Sequence, residues 1–189
     1  SNGRGRAFGL RNSASNFVYN HIGHFAAASE AVCKALFLGG VTHRFPALKF
    51  GFLEGGVGWA CQLYSDLLGH WEKRRLDALE DIDPANLDEA GLIEFARQFA
   101  SPEYLDLMEA RAPKDPPKRP HIAPAEGLDD FSACGLHEAS DLVGQFTTSF
   151  YFGCEADDPM NAWAFKPAHL PHGATINTLF GSDIGHFDV

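Results

Sequence analysis

Carboxylates stand where apolar runs end. In Leu48-Lys49-Phe50-Gly51-Phe52-Leu53-Glu54-Gly55-Gly56-Val57-Gly58-Trp59, a short apolar segment stops at Glu54, turns on glycines and enters a helical pattern. Phe146 to Cys154 leads in the same way into Glu155, Asp157 and Asp158, and Thr175 to Phe180 leads into Gly181, Ser182 and Asp183. Residues at the carboxyl ends of parallel strands face the ligand in α/β proteins. Carboxylates grouped there either bind a hard or borderline cation or share protons. Asp183 is therefore a candidate metal ligand, with capping of a following helix as the alternative. His21 and His24 lie one helical turn apart on one face, a spacing that suits two imidazoles on one metal, a substrate-side role, or a helix start in contact with solvent.

Size and composition limit what these residues can belong to. The 189 residues are enough for one domain with a sizeable core. A net charge of -10 argues against a nucleic-acid surface, which needs clustered Lys and Arg. No run approaches the roughly 18 apolar residues of a membrane span, and no signal-peptide layout opens the chain, so a cytoplasmic protein is expected. Cys33, Cys61, Cys134 and Cys154 form no CxxC pair, which signals neither a zinc knuckle nor a disulfide framework. Cys33 and Cys61 sit among apolar helical positions and read as packing residues.

The elements that position the acids follow from periodicity. Phe25, Ala28, Val32, Ala35 and Leu36 recur at helical spacing within Asn20 to Leu38, and Gly39-Gly40 is a stop. Leu48 to Leu53 reads as a parallel strand covered on both faces. Val57 to Leu79 reads as a helix with Trp59, Leu63, Leu67 and Trp71 in the core. Residues 81 to 147 form a helical, Pro-rich insertion, because the connection is too long for a simple crossover. Phe146 to Cys154 reads as a strand, Pro159 to Ala168 as a short helix packing Trp163 and Phe165, and Thr175 to Phe180 as the last strand. The fold class is α/β.

Three segments carry a family resemblance: Gly39-Gly40-Val41 with Arg44-Phe45-Pro46 and Leu48-Lys49, then Phe52 to Trp59, then Phe180-Gly181-Ser182-Asp183 with His186. Their order and separation resemble the amidohydrolase-related family, the branch of that superfamily containing aminocarboxymuconate-semialdehyde decarboxylase. The resemblance covers residues 17 to 80 and 146 to 188. It implies a TIM (β/α)8 barrel, present as about strands six to eight with their helices. It also implies a divalent metal, zinc or manganese, at the barrel mouth, with Asp183 as a ligand after the eighth strand. The family's strand-one ligand pair and strand-five His have no counterpart in this sequence, so the metal site is expected to be incomplete. At the end of strand six many relatives carry a proton-transferring His where this chain has Glu54. A Glu there can do acid-base work if burial raises its pKa. His186 and His24 are further sources of an imidazole.

The expectation for the intact parent is a metal-dependent hydrolase or decarboxylase of a small carboxylated, in one version aromatic, substrate. The competing expectation is a non-catalytic fragment or inactive scaffold. Strands six and eight would be uncovered edges, so a homo-oligomer is expected, with neither nucleic acid nor membrane as partner.

Overall fold

The computed structural model describes residues 16, 18–19, 22–79, 83, 86–111, 129–155, 157–182 and 184–185. Asp183, His186 and His21 lie outside the described residues. The chain is α/β and forms two compact units, one made of Ser1–Lys73 with Asp130–Val189 and the other of Arg74–Asp129.

The first unit is built on a parallel sheet of β1 (Phe50–Phe52), β2 (Phe150–Cys154) and β3 (Thr178–Phe180), in the order β1-β2-β3. Phe50 and Phe52 pair with Phe150 and Phe152, and Gly153 and Cys154 with Leu179 and Phe180. Alternation along the strands puts Phe50, Phe52, Phe150 and Phe152 on one face and Gly51, Tyr151, Gly153 and Leu179 on the other. The phenylalanine face is the core. Rings of Phe52 and Phe152 stack at 5.7 Å, Trp59 meets Phe152 edge-on at 5.0 Å, and Phe146 meets Phe150 at 5.2 Å. Such geometries suit the ring quadrupoles. The second face is thinner: Gly51 and Leu179 are exposed.

Helices α1 (His24–Leu38), α2 (Val41–Arg44), α3 (Gly58–Arg74) and α6 (Ala139–Ser149) belong to this unit's core or its rim. In α3, Leu63, Leu67 and Trp71 are buried as their spacing predicts, and the helix stops at Arg74, before a short 3-10 turn at Leu76–Ala78. α1 differs from its expected orientation. Its buried residues are Cys33 and Phe37, whereas Phe25, Ala28, Val32 and Ala35 are exposed. Both faces of α1 are apolar, so periodicity alone does not choose between them; the Phe37 ring wins by packing at 6.2 Å from Phe146 and 6.5 Å from Phe150. The helix ends on Gly39 and Gly40. Gly40 has φ 68, and a Cβ there would stand 2.0 Å from the Ala133 carbonyl oxygen, so only glycine fits.

The stretch expected to be strand from Phe146 is helical through Ser149 and becomes strand at Phe150 with no intervening loop. Helical phase aims Phe146 at the same ring cluster that Phe150 enters from the sheet, which is why the apolar pattern looks continuous. Asn177 secures this junction: its Nδ2 donates to the carbonyls of Thr147 and of Phe150. At the helix start, Asp141 Oδ2 accepts from the backbone N–H groups of His137 and Glu138 at 2.8 and 3.0 Å, one half of a capping box.

In the second unit, α4 (Glu89–Phe99) starts at Asp88, whose Oδ1 accepts from Gly91 N at 2.9 Å. α5 (Pro102–Arg111) has the expected Ser101 cap, Pro first turn and Glu103 near the helix dipole. In the first unit, α7 (Asn161–Phe165) buries Ala164 and leaves Trp163 and Phe165 exposed, the reverse of the expected packing.

Candidate functional site

The three strands point their carboxyl ends at one cleft of about 430 Å³. Leu53, Glu54 and Gly56 line it from the turn after β1. Cys154, Glu155 and Asp158 line it from the end of β2, and Leu179, Phe180 and Gly181 from β3. The volume is in the range of small-molecule sites.

Glycines create the geometry. A Cβ on Gly153 would lie 2.9 Å from Leu53 Cα, so only glycine lets the end of β1 lie against β2. That approach brings Glu54 to the same mouth as Cys154 and Glu155. Glu54 itself adopts φ 61, the left-handed region, followed by Gly56 at φ 67. A non-glycine residue there carries strain of about 1 kcal/mol or more. Observed strain of this kind clusters at binding and catalytic positions.

Asp158 already has structural work. Its Oδ1 accepts from Met160 N at 2.9 Å, and its Oδ2 lies 3.1 Å from where a Gly56 Cβ would be. The carboxylate therefore braces the turn after β2 and lies close against the turn after β1. Glu155 and Glu54 are exposed at the mouth. The described lining contains three carboxylates and no Lys, Arg or His.

The acids after β1 and β2 thus come together as the sequence predicts. His24 opens α1, half-buried with its ring edge-on to Phe25 at 5.7 Å, and is not among the cleft's lining residues. Asp183 and His186 are outside the described residues. Cys154 and Phe180 are lining residues that the sequence reading passed over. Their signal was position: each is the last residue of its strand.

The described residues do not by themselves fit a metal. Among them, no three His, Cys, Asp or Glu side chains gather closely enough to hold an ion. None of the four cysteines is in a disulfide; burial pushes Cys61 up to about 11, with the Asp158 charge adding to the shift, and raises Cys33 further. Buried, protonated thiols of this kind are inert. No described helix is long and apolar enough to cross a membrane. No known protein family, curated protein or solved structure matches the chain.

Proposed function

We propose that this cleft is part of the active site of a hydrolase or decarboxylase acting on a small carboxylated substrate, within a (β/α)8-type architecture. The observation that carries the reading is the convergence of strand-end carboxylates, Glu54 after β1 and Glu155 after β2, on one small-molecule-sized cleft. Strand order that follows chain order, all-parallel pairing and an aromatic core on one face are consistent with a sector of a singly wound barrel.

Charge supports a cation at the mouth. An anionic substrate placed beside Glu54, Glu155 and Asp158 is repelled unless a positive charge stands between them. In the intact parent this charge is assigned to a divalent ion, zinc or manganese, with Asp183 as a ligand from this chain and the remaining ligands from elsewhere. Glu54, on its strained turn at the mouth, is the residue we assign to take or deliver a proton once substrate covers the cleft. Phe180, 69% exposed, offers an apolar wall for an aromatic acid. The alternative is a scaffold without catalysis.

Metal content decides between them. The intact parent purified in zinc or manganese is expected to hold ion that its Asp183→Ala variant loses. Equal metal in both ends the ligand assignment, and no metal in either favours the scaffold.

A further inference from the structure

We infer that the turn between α2 and β1 is a docking surface for a short segment of a partner protein in which acidic residues flank an apolar one. Residues 43 to 49, His-Arg-Phe-Pro-Ala-Leu-Lys, are exposed without a break, with Phe45 at 52% and Leu48 at 49%. Single exposed apolar side chains are ordinary, whereas grouped ones rimmed by polar residues mark interaction sites. Here the grouping is built in. Leu48 N donates to Phe45 O at 3.0 Å, which closes a β-turn and brings the two Cα atoms within about 7 Å. Pro46 presets the first central position of that turn. Phe45 N donates to Val41 O at 2.9 Å, Arg44 Nη1 to Gly39 O at 2.8 Å and Lys49 Nζ to Pro46 O at 3.4 Å. All these bonds lie within residues 39 to 49, so the turn holds its shape before anything binds, which lowers the ordering cost of association.

Charge identifies the partner. The chain carries a net charge of -10, yet no Asp or Glu occurs from Ala31 to Leu53. Lys34 is paired with Glu30 at 2.8 Å, whereas Arg44 and Lys49, which bracket Phe45 and Leu48, form no ion pair with a described acid. Carboxylates are what these flanks can still pair with, and an apolar side chain is what Phe45 and Leu48 can cover. Screening sets the partner's size. Exposed charges more than about 8 to 10 Å apart are largely screened at physiological salt, so a short segment seated on the turn feels Arg44 and Lys49 and little else. A membrane or a nucleic acid extends well past that distance, meets the chain's excess of acids and is repelled. The turn precedes β1 and the cleft follows it, so a bound segment leaves the Glu54 end of the strand open.

The probe is a fluorescein-labelled twelve-residue peptide in which pairs of Glu flank pairs of Leu. Its anisotropy is expected to rise saturably on titration with the full chain at about 50 mM salt, and the affinity to fall at least threefold at about 500 mM. The same peptide with Lys in place of Glu should not bind. Lys49→Glu and Phe45→Ser should each weaken binding about fivefold or more with circular dichroism unchanged, since both side chains are exposed. Lys73→Glu, which alters net charge by the same amount from an exposed position on α3, should leave binding as it is. No saturable binding, equal binding of the Lys peptide, equal losses in Lys49→Glu and Lys73→Glu, or tighter binding to phosphatidylserine vesicles or to a twelve-nucleotide oligouridylate than to the Glu peptide would overturn the inference.

Discussion

Gly153 and Leu53 touch backbone to side of backbone, with the site of a Gly153 Cβ only 2.9 Å from Leu53 Cα. The contact joins the ends of β1 and β2 and so fixes where Glu54 stands. Gly153→Ala forces these strands apart at the mouth. The expected loss is about 1 to 3 kcal/mol, the usual range for overpacking, read as a lower urea midpoint at unchanged m-value. A variant as stable as the parent would show that the two backbones can separate without loss.

Glu54 is strained for a reason that stability alone does not supply. Glu54→Gly should raise stability by up to about 1 kcal/mol, because glycine occupies φ 61 without steric conflict, offset in part by the greater freedom of the unfolded chain. The same variant removes the carboxylate from the cleft, so the proposed activity should fall. Stability and activity moving in opposite directions is the expected outcome; a destabilised variant would mean that the Glu54 side chain makes contacts worth more than the strain.

Thiol chemistry should single out one cysteine. Cys154 is half-buried at the cleft, whereas Cys33, Cys61 and Cys134 are buried. Ellman's reagent is expected to titrate one thiol per native chain and four after denaturation, with the native signal lost in Cys154→Ser. More than one fast thiol in the native protein would place a second cysteine within reach of solvent.

Stability should narrow at both ends of the pH scale. Burial pushes the Tyr64 hydroxyl from 10.0 up to about 12, so its contribution is fully present below pH 10 and is lost as pH rises towards 12. Cys61 acts in the same direction between 9.0 and about 11. Tyr64→Phe should therefore reduce the loss between pH 10 and 12 while leaving the thiol-linked part, which Cys61 and Cys33 carry from pH 9 upward. Asp141 behaves oppositely. The backbone N–H groups of His137 and Glu138 hold its carboxyl below the ordinary 3.8, so its contribution is present above that value and lost as pH falls through the lowered one. Urea midpoints across the pH range for the parent, Tyr64→Phe and Asp141→Asn check both signs; in Asp141→Asn the acid-side slope should shrink.

Legibility in the sequence followed local chemistry. The apolar stop at Glu54, the helix carrying Leu63, Leu67 and Trp71, and the Ser101-Pro102-Glu103 start were readable because each depends on neighbours along the chain. The orientation of α1 was not, since two apolar faces compete and only the ring cluster of Phe146 and Phe150 decides which one turns inward. The helix-to-strand change at Phe150 was hidden for a related reason: residues spaced for a helix and residues spaced for a strand supply the same ring cluster. Of the site, the acids were legible from their position after apolar runs, whereas Cys154 and Phe180 carried the weaker signal of closing their strands, and the register of β2 with β3 pairs them at the cleft.

The direct passage from Ser149 in α6 to Phe150 in β2 leaves the chain no slack at that point. One residue added or removed there would turn the helix by about 100° relative to the strand or move every β2 side chain to the opposite face of the sheet. Length variation among natural or engineered forms should therefore be excluded from this joint and gather in the connections outside the core, while any push on α6 travels undamped along β2 to Cys154 and Glu155.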